Sequence, residues 1–344
     1  MRWFLGLVLV VALISGALYG VGRFLLPNAL EVTRTAAIDR PRAAVFAMSN
    51  DLRIAKEWSP YYALDPDAEY AFSGEPGAGQ TMRWVSQVRQ VGTGRMSIVS
   101  SSENEEVQSI LEMGERATLN SRLEMRRAEG ATAVAWTVSA ECADGGVNVP
   151  CRYMNLIMRG MIERELDSGL ARLKTLAEQL PDVDFESLQP DFPTVEPQSY
   201  VYSQVTTSNQ DVTQVDQALA IGLSQVNDFM GRFSLVQAGP QMRVTTEWNP
   251  GDNRMSFRVG YPYSGPTPLT LVGVQIGQTP SGRALRVMHE GARSQTRITY
   301  AKIYAYLQAH RIALREDGLP WEVIHDEGRP DGSASRVEIF VPLQ

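Results

Sequence analysis

A glutamate near the C-terminus stands where a carboxylate could bind a cation or move a proton. The segment PWEVIHDE, residues 320–327, alternates as a strand does, which puts Glu322 and Ile324 on one face and Trp321 on the other. A carboxylate among aromatic rings can hold a cation by its charge and by the ring faces. Burial would raise its pKa and suit it to acid/base catalysis. We therefore predict Glu322 as a ligand-binding residue, and as the catalytic group if the protein is an enzyme.

Five aromatic residues are the predicted neighbours of this carboxylate in a ligand crevice. They are Trp321, Tyr300, Tyr304, Tyr261 and Tyr263. Two alternatives stay open. Glu322 could be an exposed or salt-bridged strand residue without a ligand, and Tyr304 could belong to the core.

Other catalytic and metal-binding patterns are missing from the sequence. It contains no G-x-S-x-G, P-loop, dinucleotide fingerprint or H-E-x-x-H. His289, His310 and His325 resemble surface or strand-end histidines, and they have no zinc spacing with Cys142 or Cys151. We therefore expect no metal and no cofactor, and a binding protein in preference to an enzyme.

The two cysteines flank the turn-rich segment ADGGVNVP, residues 143–150. Cys142 and Cys151 could close a short loop as a disulfide if the compartment is oxidising, or remain two thiols.

A helix and two strands must position Glu322. A helix from about Gln295 to His310 carries Tyr300, Ile303, Tyr304 and Leu307 at the spacing of one buried face. The same layout occurs earlier, because a slide of 80 residues places Pro240 on Pro320, Phe257 on Val337, Val259 on Ile339 and Pro262 on Pro342. This predicts an internal repeat of a helix and two strands.

The segment from about Gln198 to Gln344 resembles the GyrI-like small-molecule-binding domain, which is also the effector-binding half of AraC-type and MerR-type regulators. The resemblance is carried by VMHEG (Val287–Gly291), YAYLQAH, the WE of PWEV and VEIFVPL. It implies two strand-helix-strand-strand halves around a pseudo-twofold crevice, with a glutamate at the position of Glu322 facing the ligand. Ile324 departs from the family, which often has a tyrosine there. Some members are hydrolases of strained cyclic compounds, so a hydrolase using Glu322 is an alternative.

The region upstream predicts an antiparallel sheet followed by a long helix. After the strand that begins at Leu30 and two short helices, six alternating segments separated by turn residues are expected as strands. They are Glu69–Phe72, Gln80–Ser86, Arg95–Ser100, Val107–Glu112, Ala117–Arg126 and Thr132–Glu141. An apolar stripe then predicts one helix from about Arg152 to Leu180. The fold class is therefore α+β.

This order, together with PRAAVFAMSNDLRIAKEWSPYYALDP and GEPGAGQTMRW, resembles the START-like (SRPBCC, polyketide cyclase-type) superfamily. That resemblance implies a helix-grip fold with an apolar cavity between the sheet and the long helix. Six apolar residues are its expected walls: Trp58, Trp84, Trp136, Met82, Met158 and Met161. The alternative for each is core packing without a ligand.

The N-terminal residues predict a membrane helix. Trp3–Gly22 is uncharged and long enough to span the hydrocarbon core. It is expected to be an uncleaved signal anchor with a periplasmic or extracytoplasmic body; a signal peptide cleaved after Ala17 is the alternative.

The composition and these segments give a domain plan. A net charge of −7 and a pI of about 5.2 disfavour a nucleic-acid partner. We expect a transmembrane anchor (1–27), a START-like domain (28–180), a proline-rich acidic linker (181–197) and a GyrI-like domain (198–344). The predicted function is membrane-tethered binding of a small amphiphilic or cationic molecule; a hydrolase and a protein-interaction module are the alternatives.

Overall fold

The fold is that of a computed structural model, and it divides the chain into two compact units, Met1–Glu186 and Ser187–Gln344. The residues described are 2–114, 118–142, 148–208, 212–249, 253–268, 271, 273–316, 318–327 and 334–344. The division falls inside the segment expected to be a solvated spacer. That segment makes fixed contacts, since Phe185 is buried and Asp191 forms a bridge with Arg286 within the second unit.

The first unit begins with an apolar helix, α1 (Arg2–Phe24). Within it, Gly6–Phe24 has a mean hydropathy of 2.0 and is 6% buried, so its length and composition would allow it to cross a membrane. A signal sequence near an N-terminus has the same properties. The predicted span Trp3–Gly22 lies within this helix.

The C-terminal end of α1 is attached to a long helix, α5 (Val149–Ala177). The Arg152 guanidinium donates to the carbonyl oxygens of Arg23 and Leu26 at 2.9 Å each. The Arg23 carbonyl is one of those that a helix end leaves without partners, and Leu26 lies just after the helix. The apolar helix is therefore held by side chains as well as by the peptide chain.

The main body of the first unit is a seven-stranded antiparallel sheet in the order β1-β7-β6-β5-β4-β3-β2. Its strands are β1 (Ala29–Ile38), β2 (Glu69–Ser73), β3 (Thr81–Val85), β4 (Thr93–Ser102), β5 (Glu106–Glu112), β6 (Thr118–Ala128) and β7 (Ala131–Glu141). The last strand returns to pair with the first, with Val32 opposite Val138. The six predicted segments after the first strand correspond to β2–β7 with small shifts of their ends.

Helices cover one face of this sheet. Three short ones precede β2: α2 (Arg42–Ser49), α3 (Leu52–Ala55) and α4 (Pro60–Leu64), with a 3-10 turn at Lys56–Trp58. The helix α5 buries one stripe in the common core, including Ile162, Leu166, Leu170 and Leu173. The α+β prediction of a START-like sheet with one long helix is confirmed.

A disulfide joins Cys142, after β7, to Cys151 in the first turn of α5. The Cα atoms are 5.9 Å apart, as in ordinary disulfides. Most of the loop between the two cysteines, residues 143–147, lies outside the described residues.

The second unit contains the same sequence of elements twice. The first copy is β9 (Ser199–Ser208), α6 (Val212–Arg232), β11 (Gln241–Asn249) and β12 (Arg254–Ser264). The second copy is β14 (Gly282–Gly291), α7 (Thr296–Ala309), β15 (Trp321–Asp326) and β16 (Ser335–Pro342). The short strands β8 (Thr194–Val195), β10 (Val236–Gln237) and β13 (Gln275–Gln278) complete the unit. The predicted repeat is therefore present in the structure.

The two copies meet in one sheet in the order β13-β9-β12-β11-β15-β16-β14-β8, so β11 and β15 pair at its centre. Arg243 lies opposite Glu322 there. Arg243 also pairs with Val259, and Glu322 pairs with Ile339, which places the two charged residues at equivalent positions of the two copies. The slide of 80 residues is correct for β12 and β16 but is one residue too long for β11 and β15.

The two faces of this sheet carry different side chains. The helix α6 packs its Leu219 on Phe257 and Val259, and α7 packs its Ile303 near Ile339. Arg243 and Glu322 share this face because they pair with Val259 and Ile339. The opposite face holds a buried aromatic cluster, whose members are Tyr200, Tyr202, Met242, Val244, Ala284, Trp321 and Phe340.

Candidate functional site

A cavity lies between the sheet of the first unit and its helices. Its volume is about 70 Å³. Strand alternation sends Met82 and Trp84 of β3 and Trp136 and Val138 of β7 towards it. Further wall residues come from the helices and the other strands: Ala55, Lys56, Trp58, Ser59, Pro60, Tyr61, Tyr70, Met96, Leu111, Leu119, Ser121, Ile162, Glu165 and Leu166.

Three tryptophans form a large part of the wall, and they differ in how their N–H groups are satisfied. Trp58 donates to the carbonyl oxygen of Met48 at 3.0 Å, and Trp136 donates to the Ser121 hydroxyl at 2.8 Å. The indole N–H of Trp84 is buried and has no acceptor among the described protein groups. A buried donor of this kind favours an acceptor in the cavity beside it.

Two glycines make room for these rings. A Cβ at Gly94 would lie 2.1 Å from Cζ2 of Trp84, and a Cβ at Gly169 would lie 2.5 Å from Cζ3 of Trp136. Both distances are far below van der Waals contact, so any larger residue would push the indole from its place. The shape of the cavity therefore depends on a strand glycine and a helix glycine.

Tyr61 and Glu165 supply a polar pair at the wall. The Tyr61 hydroxyl donates to the Glu165 carboxylate at 3.1 Å. Burial raises the pKa of the Glu165 carboxyl, while the hydrogen bond from Tyr61 opposes that rise. Burial and the charge of Glu165 together raise the pKa of the Tyr61 hydroxyl, which keeps it a donor at neutral pH.

Lys56 brings a cation to the same cavity. Its Nζ lies 5.1 Å from the ring centre of Tyr70, 5.3 Å from that of Tyr62 and 5.9 Å from that of Phe72. These distances are within the range of cation–π attraction. In the described part of the chain no carboxylate forms an ion pair with it.

The expected wall residues are placed unequally. Trp58, Trp84, Trp136 and Met82 line the cavity. Met158 is packed against the core and Met161 is 42% exposed, and neither lines the cavity. The prediction for these two methionines is therefore corrected. Met161 lies on α5 away from the face of Ile162 and Leu166, whereas Met158 shares that face and packs against the core beyond the cavity.

Glu322 in the second unit is buried and fully engaged. One carboxylate oxygen accepts a hydrogen bond from the Tyr300 hydroxyl at 2.9 Å, and the other forms an ion pair with Arg243. Burial raises the pKa of Tyr300 well above its ordinary value, and the charge of Glu322 adds to the rise. Burial acts to lower the pKa of Arg243, but Glu322 outweighs it and the pKa is raised. The carboxylate therefore has an internal cation as its partner.

The space beside this pair is small. A cavity of about 20 Å³, lined in part by Arg243, Glu322, Arg293 and Thr296, has room for one water molecule. The structure therefore shows no crevice of ligand size at Glu322 within the described residues.

The aromatic residues expected around Glu322 are only partly gathered there. Tyr300 contacts it, and Tyr304 stacks on Tyr300 with ring centres 6.4 Å apart. Trp321 lies on the opposite face, stacked on Phe340, because neighbouring residues of a strand point to opposite sides. The expectation of Trp321 as a neighbour of this carboxylate is therefore corrected.

The two tyrosines of β12 belong to another cluster. Tyr261 and Tyr263 pack with the end of α6, where Val226 and Phe229 are buried. They lie on the same face of the sheet as Arg243, but their strand β12 is outside the central pair β11 and β15. Neither tyrosine lines the small cavity at Glu322. Their expected place beside the carboxylate is likewise corrected.

The histidines have structural surroundings. His289 is 5% exposed and lies near the end of β14, so it has the strand-end position and not the surface position of the two that were expected. Its Nδ1 lies 2.8 Å from the Thr299 hydroxyl. His310 packs on Tyr306, and His325 lies 3.4 Å from Glu338. Within the described residues no group of three His, Cys, Asp or Glu side chains could hold a metal ion.

Four polar residues were not predicted for either site: Lys56, Tyr61, Glu165 and Arg243. Glu165 and Tyr61 are distant in sequence and meet only because α4 lies against α5. Arg243 could have been found by testing a slide of one residue less, which aligns it with Glu322.

A comparison of the sequence with known protein families finds a match within the first unit. Residues 29–178 match the family described as polyketide cyclase / dehydrase and lipid transport. This range contains the whole sheet, the short helices and α5. No curated protein matches the chain.

Several solved structures are similar at low identity. Protein Ms6760 from Mycobacterium smegmatis is 13% identical with a TM-score of 0.31, covering 44% of this chain and 92% of that chain. A protein from Thermus thermophilus, TTHA0849, is 16% identical with a TM-score of 0.32, covering 43% of this chain and 97% of that one. CV1439 from Chromobacterium violaceum is 11% identical with a TM-score of 0.30, covering 46% and 100%.

Proposed function

We propose that the protein binds a small, largely apolar molecule in the first-unit cavity while its N-terminal helix tethers it to a membrane. The observation that carries the proposal is an apolar cavity lined in part by Trp84, whose buried indole N–H has no acceptor among the described residues. An apolar cavity with a few polar groups is the usual form of a small-molecule site. The matched family is one of ligand-binding domains, which supports the same function.

The size of the cavity limits the ligand. At about 70 Å³ it exceeds several times the space that one water needs, yet it is far smaller than pockets for drug-sized ligands. A molecule with one ring or a short chain fits without movement of the walls. A longer lipid would require α5 or α4 to move away from the sheet.

Membrane tethering and an extracytoplasmic body belong to the proposal as well. The exposed apolar helix α1 supports the tether, and the disulfide Cys142–Cys151 fits an oxidising compartment. A ligand that partitions into the bilayer would then be concentrated near the cavity.

For the second unit we propose a GyrI-like arrangement, on the basis of its repeated strand-helix-strand-strand order. We do not assign the ligand to it. Glu322 is already paired with Arg243, so the cation expected there has an internal substitute, and a hydrolase using Glu322 would need that pair to break first.

Binding can be tested with the full chain in phosphatidylcholine nanodiscs. Hexanol, octanol and decanol should raise the melting temperature of the first unit, because a ligand that binds only the folded state stabilises it. Leu111→Phe, which adds volume at the cavity wall, should abolish this rise.

The matched control is Leu176→Phe. Like Leu111, this leucine is partly buried against the hydrophobic core of the first unit, but it does not line the cavity. Ligand-induced stabilisation should persist in it. An unchanged response in Leu111→Phe, or no response of the wild type to any alcohol and no ligand in native mass spectra of protein taken from membranes, would refute cavity binding.

A further inference from the structure

Two donors of the first-unit cavity lack a protein acceptor in the described residues. Trp84 is 3% exposed and its N–H is unpaired. Lys56 is half-buried, and its charge is met by the rings of Tyr62, Tyr70 and Phe72 without a carboxylate. Both residues line the same cavity.

The energetics of these donors favour an oxygen anion. A buried donor without an acceptor costs about 1–3 kcal/mol, and a hydrogen bond to a charged group is stronger than one between neutral groups. Aromatic faces attract the ammonium of Lys56 but carry no net charge to balance it. A carboxylate has two oxygens, so it can accept from more than one donor at once.

We infer that the ligand of this cavity is an apolar monocarboxylic acid. This inference rests on the proposed binding function and specifies the head group. The carboxylate lies on the side of Lys56, and the apolar body of the acid lies against Trp58, Trp136 and Leu119. Neutral alcohols of the same shape bind more weakly because they cannot balance the charge of Lys56.

The other ionisable groups around the cavity act on this anion. Tyr61 and Tyr70 stay neutral because burial raises their pKa values. Glu165 also lines the cavity, and burial raises its pKa too. As the pH rises through that pKa, Glu165 becomes an anion and repels the carboxylate, while Arg164 beside it offsets part of the repulsion.

The test uses two small probes that differ only in the head group: cyclohexanecarboxylate and cyclohexylmethanol. Isothermal titration of the full chain in phosphatidylcholine nanodiscs should show tighter binding of the carboxylate. Lys56→Met keeps the length of the side chain and removes its charge. It should weaken carboxylate binding by about tenfold or more, the scale of a charge-assisted hydrogen bond, and leave the alcohol nearly unchanged.

Two further variants complete the design. Trp84→Phe keeps an aromatic ring without the N–H and should weaken both probes, since each has an oxygen acceptor. Lys302→Met, a lysine of the second unit bonded to the Ser187 hydroxyl, should change neither.

Equal affinity for the two probes, or carboxylate binding that Lys56→Met leaves intact, overturns the inference while cavity binding stands. Failure of both probes also overturns it, and the alcohol series described above then decides separately whether the cavity binds any amphiphile.

Discussion

Glu322 lies at the centre of the second sheet with a cation and a hydroxyl on its two oxygens. Two terms set the free energy of such a buried pair. Each ion loses the favourable free energy of its hydration, and the attraction of its partner replaces only part of it. The loss of one partner alone leaves an uncompensated charge in the interior. The pair is therefore more sensitive to a single substitution than to the replacement of both residues.

Arg243→Ala should destabilise the second unit by about 3–5 kcal/mol, the range for breaking a buried ion pair. The double variant Arg243→Met with Glu322→Met should recover most of that loss. Thermal unfolding measures both. Arg286→Met is the control, since its pair with Asp191 is exposed and should contribute at most about 1 kcal/mol. An Arg243→Ala protein as stable as the wild type would show that the pair is not formed.

Glu165 should give the first unit a pH dependence of its own. Because burial raises its folded-state pKa above the usual 4.5, the folded protein holds this proton more firmly than the unfolded chain. Its contribution to stability is therefore full below the ordinary carboxyl pKa and is lost as the pH rises through the raised value. Melting temperatures of Glu165→Gln should fall less than those of the wild type between acid and neutral pH. Identical profiles would contradict this assignment.

Tyr61→Phe provides the opposite change at the same site. The hydrogen bond from Tyr61 lowers the pKa of Glu165, so its removal should raise that pKa and extend the stability loss to higher pH. A profile that moves to lower pH would contradict the observed hydrogen bond.

The helix α5 closes one side of the cavity and also packs against the Trp136 ring in its wall. Gly169 is buried where Trp136 crosses the helix, whereas Gly160 on the same helix has only the Arg164 guanidinium nearby. Glycine lowers helix stability through backbone entropy. Replacement of each glycine by alanine therefore tests whether its close packing or its backbone entropy has the larger effect on stability.

Gly169→Ala should destabilise the first unit by about 1–3 kcal/mol, the usual effect of overpacking, and should displace the Trp136 indole. Gly160→Ala should stabilise it by up to about 1 kcal/mol through helix propensity. Chemical denaturation followed by tryptophan fluorescence measures both. The same sign for the two variants would contradict the packing at Gly169.

Local patterns of sequence were enough for most elements and not for the contacts between them. Alternation located the strands of the first sheet, and the apolar stripe located α5, because both patterns repeat within one element. The Tyr61–Glu165 bond joins elements that are distant in sequence, and the packing of Trp84 over Gly94 joins two paired strands, so no pattern within one element marks either contact. The repeat was visible, but an ungapped slide missed the one-residue shift that sets Arg243 opposite Glu322.

The apolar helix α1 should keep the whole protein in the membrane. The full chain should remain in the membrane pellet after an alkaline carbonate wash, because an apolar helix of this length is held by hydrocarbon and not by charge. Deletion of residues 2–27 should release it. An intact mass that begins after Ala17 would identify a cleaved signal peptide and remove the tether from the proposed function.

The side-chain contacts between α1 and α5 should affect how freely the protein moves on the membrane, but not whether it stays in the membrane pellet. Arg152 fixes the last carbonyl groups of α1, so Arg152→Ala should let the body pivot more freely without releasing it from the membrane. Faster proteolysis near residue 27 in that variant, with unchanged pelleting, is the expected result.

The pairing of Arg243 with Glu322 also carries a historical constraint. Two copies of a single repeat, related by an exact twofold axis, would present identical residues at this position. Two arginines or two glutamates in contact would repel each other inside the sheet. Opposite charges at the axis require two repeats whose sequences differ, and a single chain that carries both repeats meets this requirement. The ion pair therefore distinguishes the two repeats from identical copies and joins one repeat to the other across the centre of the sheet.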